Sequence, residues 1–443
     1  MHPEHALLTR FIGFLRVHQA DVSILLFLAA GAIGIASQIM LPAMPGAEMV
    51  RLAQNLALHG TFADPFGTLA TGPTAVNPPL YPLLLAALFK ILHQPPYVYF
   101  VLILLAILAN ALTASLLPRV SAKLLGDCVP GVFGAVIWLG AMQSIPGWDT
   151  NLSVLGILIF CIITLPSGNP GRHPMISAFL GGILAGLLFL LNPSLILITV
   201  PWLAYIWFSS RASKLSALRD PLIALSILFL FGFGWALRNS FAVGAFVVKT
   251  NMGTALYVSN NDCAEASLIK DQFNNCYQSR NPDSSVQEAR QLIAMGEVQY
   301  NKARIATTET WIRNHPARFA QLTLWRFMEF WFPPADWIPP TKKFQNPFSI
   351  SQYAQKWALQ QIRIACVIWL ATALSIPGLI LIVRHRETVS LYFIAVLALY
   401  PLMYYLVVTE VRYRYPVLWV TLLCAGSFVR DMLERDRKPA TSA

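Results

Sequence analysis

Charge is what this sequence lacks. Only 12% of its 443 residues are Asp, Glu, Lys or Arg, about half the usual share of a soluble globular chain, while 56% are hydrophobic and the mean hydropathy is +0.57. That excludes disorder and leaves a large apolar surface that must face something other than water. Six cysteines are too few for a disulfide scaffold. The sequence contains no glycine-rich phosphate loop, no serine elbow and no His/Cys pair at zinc spacing, so soluble nucleotide or hydrolase chemistry has no support. The net charge of +11 is scattered between apolar runs and forms no single basic face for nucleic acid.

What is present is a series of charge-free apolar runs long enough to approach the ~20 residues that cross a bilayer. Ten stand out: 22–41, 97–117, 129–145, 151–165, 175–191, 194–209, 221–237, 364–383, 389–408 and 416–429. The first reads as a retained anchor, because its small residues Ala29 to Ala32 lie mid-run with apolar sequence beyond them. An eleventh run, 78–91, is shorter and carries Lys90. If it does not span, then Arg10, Arg16, Arg119, Lys123, Arg172, Arg211, Lys214, Arg219, Arg384, Arg386 and the basic residues from Arg430 onward all share one side. The positive-inside rule favours that reading, which makes both termini cytoplasmic and puts 78–91 at the outer surface. The resulting expectation is an all-α integral membrane protein of about ten transmembrane helices. Residues 1–238 form an N-terminal membrane module with a first outer loop at 42–94, residues 239–358 a small, mostly helical outer loop domain, and 359–443 a C-terminal membrane module.

Within the outer loop domain, Ser285 and Glu288 have capping-box spacing, and one helix is expected from there to Asn314, ending at His315-Pro316. A second, over 317–332, is too apolar for free solution and is expected on the membrane surface. Cys263 and Cys276 fall in the compartment where disulfides persist and are expected to pair; Cys128, Cys161, Cys366 and Cys424 read as buried apolar residues.

The few outer charges are the candidates for chemistry. Glu48 lies just beyond the first span, where partial loss of hydration raises a carboxylate's basicity and suits a general base; a solvated acid paired with Arg51 is the alternative. Asp149 is a second outer carboxylate or, more simply, the N-cap of the fourth span. The run Thr71-Gly-Pro-Thr-Ala-Val-Asn77-Pro78-Pro79-Leu80-Tyr81-Pro82 fixes backbone direction and reads as a rigid turn. Arg412 and Arg414, in Glu410-Val-Arg412-Tyr413-Arg414-Tyr415-Pro416, are either anchors of an aromatic belt or a phosphate clamp that Arg238 joins.

Taken in order, several segments resemble bacterial protein-O-mannosyltransferase-like glycosyltransferases (family 39) of the GT-C superfamily. They are Glu48, Leu56-Ala57-Leu58-His59-Gly60-Thr61-Phe62, Thr71-Gly-Pro-Thr-Ala, Pro78-Pro79-Leu80-Tyr81-Pro82, Arg238-Asn239, Lys249-Thr-Asn251-Met-Gly253, Asn260-Asn261, Met295-Gly-Glu297, His315-Pro316 and Arg412-Tyr413-Arg414-Tyr415-Pro416. The resemblance implies a GT-C-like bundle with outer juxtamembrane helices that moves a hexosyl or pentosyl group from a polyprenyl-phosphate donor to a lipid, glycan or protein acceptor outside the cytoplasmic membrane. It maps an essential acid onto Glu48 and a second onto Asp149, and leaves a divalent metal open, since some GT-C enzymes use one. Two departures stand out: Gly46-Ala47 precede Glu48 where many relatives have an Asp-Glu pair, and Lys249 stands where an arginine is expected. The competing readings are a transporter and an inactive scaffold. The apolar runs show neither the mid-span charge nor the inverted repeat usual in transporters.

Overall fold

The computed structural model describes residues 3–40, 47–165, 174–209, 214–334, 347–385 and 387–435. The lead-in 42–46 to Glu48, and Arg172, Arg211, Arg386, Arg437 and Lys438, lie outside them. Among the described residues the chain is helical, with no β-sheet and two isolated bridges, Ala63 with Pro73 and Ser267 with Thr409.

The N-terminal half runs through α1 (Pro3–Val17), α2 (Gln19–Met40), α3 (Ala47–His59), α4 (Leu80–Leu92), α5 (Pro95–Leu125), α6 (Val129–Ala141), α7 (Thr150–Thr164), α8 (Pro174–Leu191), α9 (Ile196–Ser209) and α10 (Lys214–Ala242). The outer helices α11 (Met252–Ser259), α12 (Leu268–Phe273), α13 (Cys276–Arg280), α14 (Val286–Met295), α15 (Glu297–Asn314) and α16 (Pro316–Trp331) follow. The chain then returns through α17 (Pro347–His385), α18 (Glu387–Leu399), α19 (Leu402–Tyr405) and α20 (Tyr415–Arg435). Six helical stretches, Gln19–Met40, Pro95–Leu125, Leu218–Ala242, Lys356–His385, Thr388–Tyr405 and Val411–Arg435, are long and apolar enough to cross a membrane. Shorter apolar helices, α6 to α9, occupy the four remaining expected spans. The expected module boundaries at 238 and 358 both fall inside continuous helices, α10 and α17.

Local sequence explains the ends. Pro95 and Pro96 open α5, where their missing N–H groups have no intrahelical partner to lose, and Gly126 closes it in the left-handed region. At the centre is α20, whose residues 415 to 427 are all buried, as expected of a helix that is apolar all round. Its neighbours reach it over small residues: Gly426 meets the Pro130 carbonyl of α6, and Gly378 of α17 meets the Cys424 carbonyl, so that a side chain at either place would collide with backbone.

The two ends of the bundle differ in chemistry. At the end expected to be inner, Asp127 in the α5–α6 turn binds Arg16 of α1 at 2.6 Å and Arg430 of α20 at 3.4 Å, while Glu434 takes Arg16 at 2.8 Å. At the other end α6 stops at Ala141 and the chain is non-helical to Thr150. Exposed backbone polar groups are costly at the edge of an apolar phase, and here Asn151 satisfies several. Its Oδ1 accepts from the Ile145 amide at 2.8 Å, and its Nδ2 donates to the Gln143 carbonyl at 2.9 Å and to Asn110 Oδ1 at 3.2 Å.

In the outer helices, the single helix expected over 285–314 is two. Ser285 does cap α14, accepting from the Glu288 amide at 3.3 Å, but Gly296 at φ +76° breaks the chain there and α15 starts afresh. The Glu288 side chain turns forward to the Tyr300 hydroxyl at 2.6 Å and to Arg304. Helix α16 buries Leu322, Arg326 and Phe330 and exposes the large apolar side chains of Leu324, Trp325, Phe327 and Met328. Of the free cysteines, Cys128, Cys161 and Cys424 are buried and Cys366 is exposed on α17.

Asp271 in α12 is fully buried, and its Oδ2 has no hydrogen-bond partner. Burial pushes its carboxyl up to about 7, partly offset by the Glu265 amide and Arg326. The folded state therefore holds a proton that the unfolded chain releases near 3.8, and this contribution to stability is lost as pH rises through about 7. Asp271→Asn, which imitates the protonated group, should flatten the pH dependence of thermal unfolding between about 4 and 7 and raise stability at neutral pH by on the order of 1 kcal/mol.

Candidate active site

The end of the bundle away from Asp127 holds two adjoining cavities of about 740 and 300 Å³. Glu48, Trp148, Tyr277, Asn281 and Arg412 line both and so form the neck between them. The larger is walled by the outer helices, the 143–148 loop and the start of α17, and opens among polar side chains. The smaller reaches inward to Asn77, Asp149, Ser194, Lys249 and Tyr404.

Each charged group is delivered by a local feature. Glu48 sits in the first turn of α3, held down by the buried Met49, Val50, Leu52 and Ala53. It is not paired with Arg51, whose Nε donates to the Pro65 carbonyl at 2.8 Å and whose Nη2 bonds Asp283. Burial raises the Glu48 carboxyl above its ordinary value and Asp283 adds to that, against the pull of Lys249, Asn77 and Arg412. Lys249 is shifted the opposite way: burial lowers its ammonium, and Arg412 adds to that, against the support of Glu48 and Asp149. Asn77, 3% exposed, borders the same cavity with its side chain directed at Glu48.

Asp149 occupies the N-cap position of α7, yet its carboxylate caps no backbone amide. Its Oδ2 accepts from Ser153 Oγ at 2.9 Å and from Asn192 Nδ2 at 3.1 Å. Asn192 is fixed in turn by the Ser194 hydroxyl at 2.7 Å. Arg412 lies 3.6 Å from the centre of the Trp148 ring, with Nε donating to Glu410 at 2.5 Å, and it also meets the Tyr413 side chain. An arginine stacked in this way is fixed in direction.

The structure brings Glu48, Asp149 and Arg412 together but not Arg414 or Arg238. Arg414 is 1% exposed, donates to Thr421 at 3.0 Å and Thr372 at 3.4 Å, and lies 3.9 Å from the Trp331 ring centre, lining neither cavity. The two arginines stand in a 3₁₀ turn of three residues per revolution, so positions two apart point about 120° apart and do not share a face. Arg238 sits between Phe62 and Trp235 and donates to the Thr74 carbonyl at 2.8 Å, clamping the first outer loop from behind. Lys249, which was not among the expected site residues, lines the smaller cavity. Its signal in the sequence was a lone lysine after Phe246-Val-Val.

Glu297 registers the parts. Its buried carboxylate accepts from Thr74 Oγ1 at 2.5 Å, the Ala75 amide at 2.8 Å and Thr250 Oγ1 at 2.5 Å, tying the strand before Asn77 to the residue after Lys249. Tyr81 does the same for the Asp149 loop, donating to the Pro146 carbonyl at 2.5 Å. Cys263 and Cys276 form a disulfide with Cα atoms 5.8 Å apart, beside Tyr277 of the neck. No three of His, Cys, Asp and Glu converge among the described residues. The two carboxylates at the smaller cavity share their field with Lys249, a donor set that does not fit a dedicated divalent site, which needs more oxygen ligands.

No family model and no curated protein matches the chain. Among solved structures it superposes on the archaeal oligosaccharyltransferase AglB from Archaeoglobus fulgidus in complex with an inhibitory peptide and a dolichol-phosphate, with a TM-score of 0.53, 12% identity, and 95% of this chain and 51% of that chain covered. The apo form of the Archaeoglobus fulgidus oligosaccharyltransferase gives 0.53 and 12%, over 96% of this chain and 51% of that one. The form tethered to an acceptor peptide with the NVT sequon gives 0.53 and 12%, over 95% and 50%. At this identity the likeness is one of fold alone, shared with the part of these structures that the chain covers. The chain spans about half the length of the solved structures it matches. Glu297→Ala should leave three buried donors without an acceptor and cost about 2–4 kcal/mol, read as a fall in the thermal unfolding midpoint in detergent.

Proposed function

We propose that the chain is a membrane glycosyltransferase that takes a hexosyl or pentosyl group from a polyprenyl-phosphate donor and transfers it to an acceptor at the outer face of the cytoplasmic membrane. The observation that carries this reading is the neck itself: a carboxyl of raised basicity, Glu48, between two cavities, one of which gathers Lys249 and Arg412. Those two cations suit the phosphate of a donor, and the larger, more polar cavity suits an acceptor. Glu48 removes the proton from the acceptor hydroxyl or amine as that atom bonds to the anomeric carbon. The bond from that carbon to the phosphate oxygen breaks, and Lys249 and Arg412 stabilise the charge left on the departing lipid phosphate. Attack opposite the leaving group inverts the anomeric centre in one displacement and needs a single base. Asp149, held by Ser153 and Asn192, orients Lys249 or the sugar.

The finer resemblance to family 39 enzymes supports a monosaccharide donor, and the oligosaccharyltransferase of the same fold was solved with a dolichol-phosphate and with peptides, chemistries that match the two cavities. The basic end around Arg16 and Arg430 supports cytoplasmic termini.

In proteoliposomes supplied with a polyprenyl-phosphate sugar, Glu48→Gln that still folds should lose on the order of 10²-fold or more in turnover. Unchanged transfer would remove Glu48 as the base. Arg412→Ala should raise the KM for the lipid donor more than that for the acceptor. Because the Glu48 carboxyl is raised, kcat/KM should fall on acidification at a pH above the usual carboxylate value of 4.5. Because Lys249 is lowered, the alkaline limb should appear below 10.5.

A further inference from the structure

Residues 269–280 hold α12 beyond its first residue and the whole of α13, and they wall the larger cavity through Ile269, Gln272, Tyr277 and Gln278. The segment is fastened firmly at its two ends. Before it, the Thr409 amide donates to the Ala266 carbonyl at 2.8 Å and the Leu268 amide to the Thr409 carbonyl at 3.1 Å. After it, the Pro282 carbonyl accepts from Thr68 Oγ1 at 2.6 Å, and Asp283 takes Arg51 and the Gly67 amide. Between these anchors, and among the described residues, every backbone hydrogen bond made by 269–280 stays within 267–281. The middle is crossed by the Cys263–Cys276 disulfide and, more loosely, by Lys270 and Glu329 at 4.0 Å. The fully buried Asp271 leaves its Oδ2 unpartnered there, a cost borne only while α12 is kept in place.

The covalent tie ends at the neck, because Cys276 precedes Tyr277, which together with Asn281 lines both cavities. It can also be reached. Cys276 is 2% exposed, but Cys263 is exposed. Arg280 Nη1 stands 3.1 Å from Cys263 Sγ and 3.8 Å from Cys276 Sγ. A guanidinium beside sulfur favours the thiolate, which makes that sulfur a better leaving group in thiol exchange.

We propose that the Cys263–Cys276 disulfide is a redox latch on this wall, which holds Tyr277 at the neck when closed and frees 269–280 when a dithiol opens it. A thiolate of the dithiol attacks the exposed Cys263 Sγ; the disulfide bond breaks, and Cys276 leaves as a thiolate beside Arg280 and takes a proton. The second thiol of the reagent then attacks the mixed disulfide and releases Cys263 as a thiol. Two electrons and two protons pass to the cysteines, and the dithiol becomes a disulfide. Opening removes the crosslink that limits the segment's freedom, so the neck loses its fixed tyrosine. The effect on sugar transfer rests on the glycosyltransferase reading of the neck; the opening of the wall does not.

Two measurements on the full chain, before and after dithiothreitol, test the latch. Hydrogen exchange in nanodiscs reads the wall, and turnover of a polyprenyl-phosphate sugar in proteoliposomes reads the site. Reduction should speed exchange across 269–280 on the order of ten-fold while α20 keeps its protection. It should lower turnover about ten-fold, and reoxidation should restore it. Cys263→Ser/Cys276→Ser should behave as the reduced protein with and without dithiothreitol. Unchanged exchange at 269–280 would overturn the latch, and so would faster exchange throughout the chain, which would make the disulfide an ordinary crosslink of the fold. Faster local exchange with unchanged turnover would overturn its control of the site. Absence of turnover in both states would count against the glycosyltransferase reading, and the latch would then stand or fall by the exchange at 269–280.

Discussion

The structure turns on a cluster of opposite charges held where water is scarce. Glu48, Asp149, Lys249 and Arg412 meet at the outer end of an apolar bundle, and each would be expensive to bury alone. Together they are tolerable, because the desolvation that raises the Glu48 carboxyl and lowers the Lys249 ammonium is opposed by the attraction between them. Much of the outer structure serves to hold that balance. Glu297 laces the Thr74–Ala75 segment to Thr250, Tyr81 fixes the 143–149 loop through the Pro146 carbonyl, and Arg51 is drawn off to Asp283, away from Glu48.

A carboxyl whose basicity is raised, set beside Lys249 and Arg412, is placed to take a proton next to two cations. The same low dielectric that makes the cluster costly makes its interactions with a bound phosphate stronger than they would be in water. The position follows from the fold: α6 and α7 stop short at the outer end, and the non-helical stretch between them carries Trp148 and Asp149 into the cavity, with its backbone satisfied by Asn151.

The sequence made the bundle legible because spans are defined by absence of charge, a property that needs no knowledge of packing. Glu48, Asp149 and Arg412 were legible for a related reason: in a charge-poor chain an outer charge near the boundary stands out. What escaped depended on direction in space. Arg412 and Arg414 look equivalent in the sequence, and only the 3₁₀ turn sends one to the cavity and the other into the core beside Trp331. Arg238 reads as a phosphate ligand until the Phe62 and Thr74 carbonyls are seen to occupy it. Lys249 was visible only as a departure from an expected arginine, since its neighbours come from loops 100 and more residues away in the chain. The break at Gly296 was missed because the helical pattern continues on either side of it, and one residue at positive φ decides the matter.

The most direct measurement is a cryo-EM map of the protein in nanodiscs with a non-hydrolysable polyprenyl-phosphate sugar. The account requires the phosphate to lie within hydrogen-bond reach, about 2.7–2.9 Å, of Lys249 Nζ and the Arg412 guanidinium, with Glu48 on the opposite side of the anomeric carbon. A phosphate bound away from the Glu48 neck, with Lys249 and Arg412 left unliganded, would contradict it.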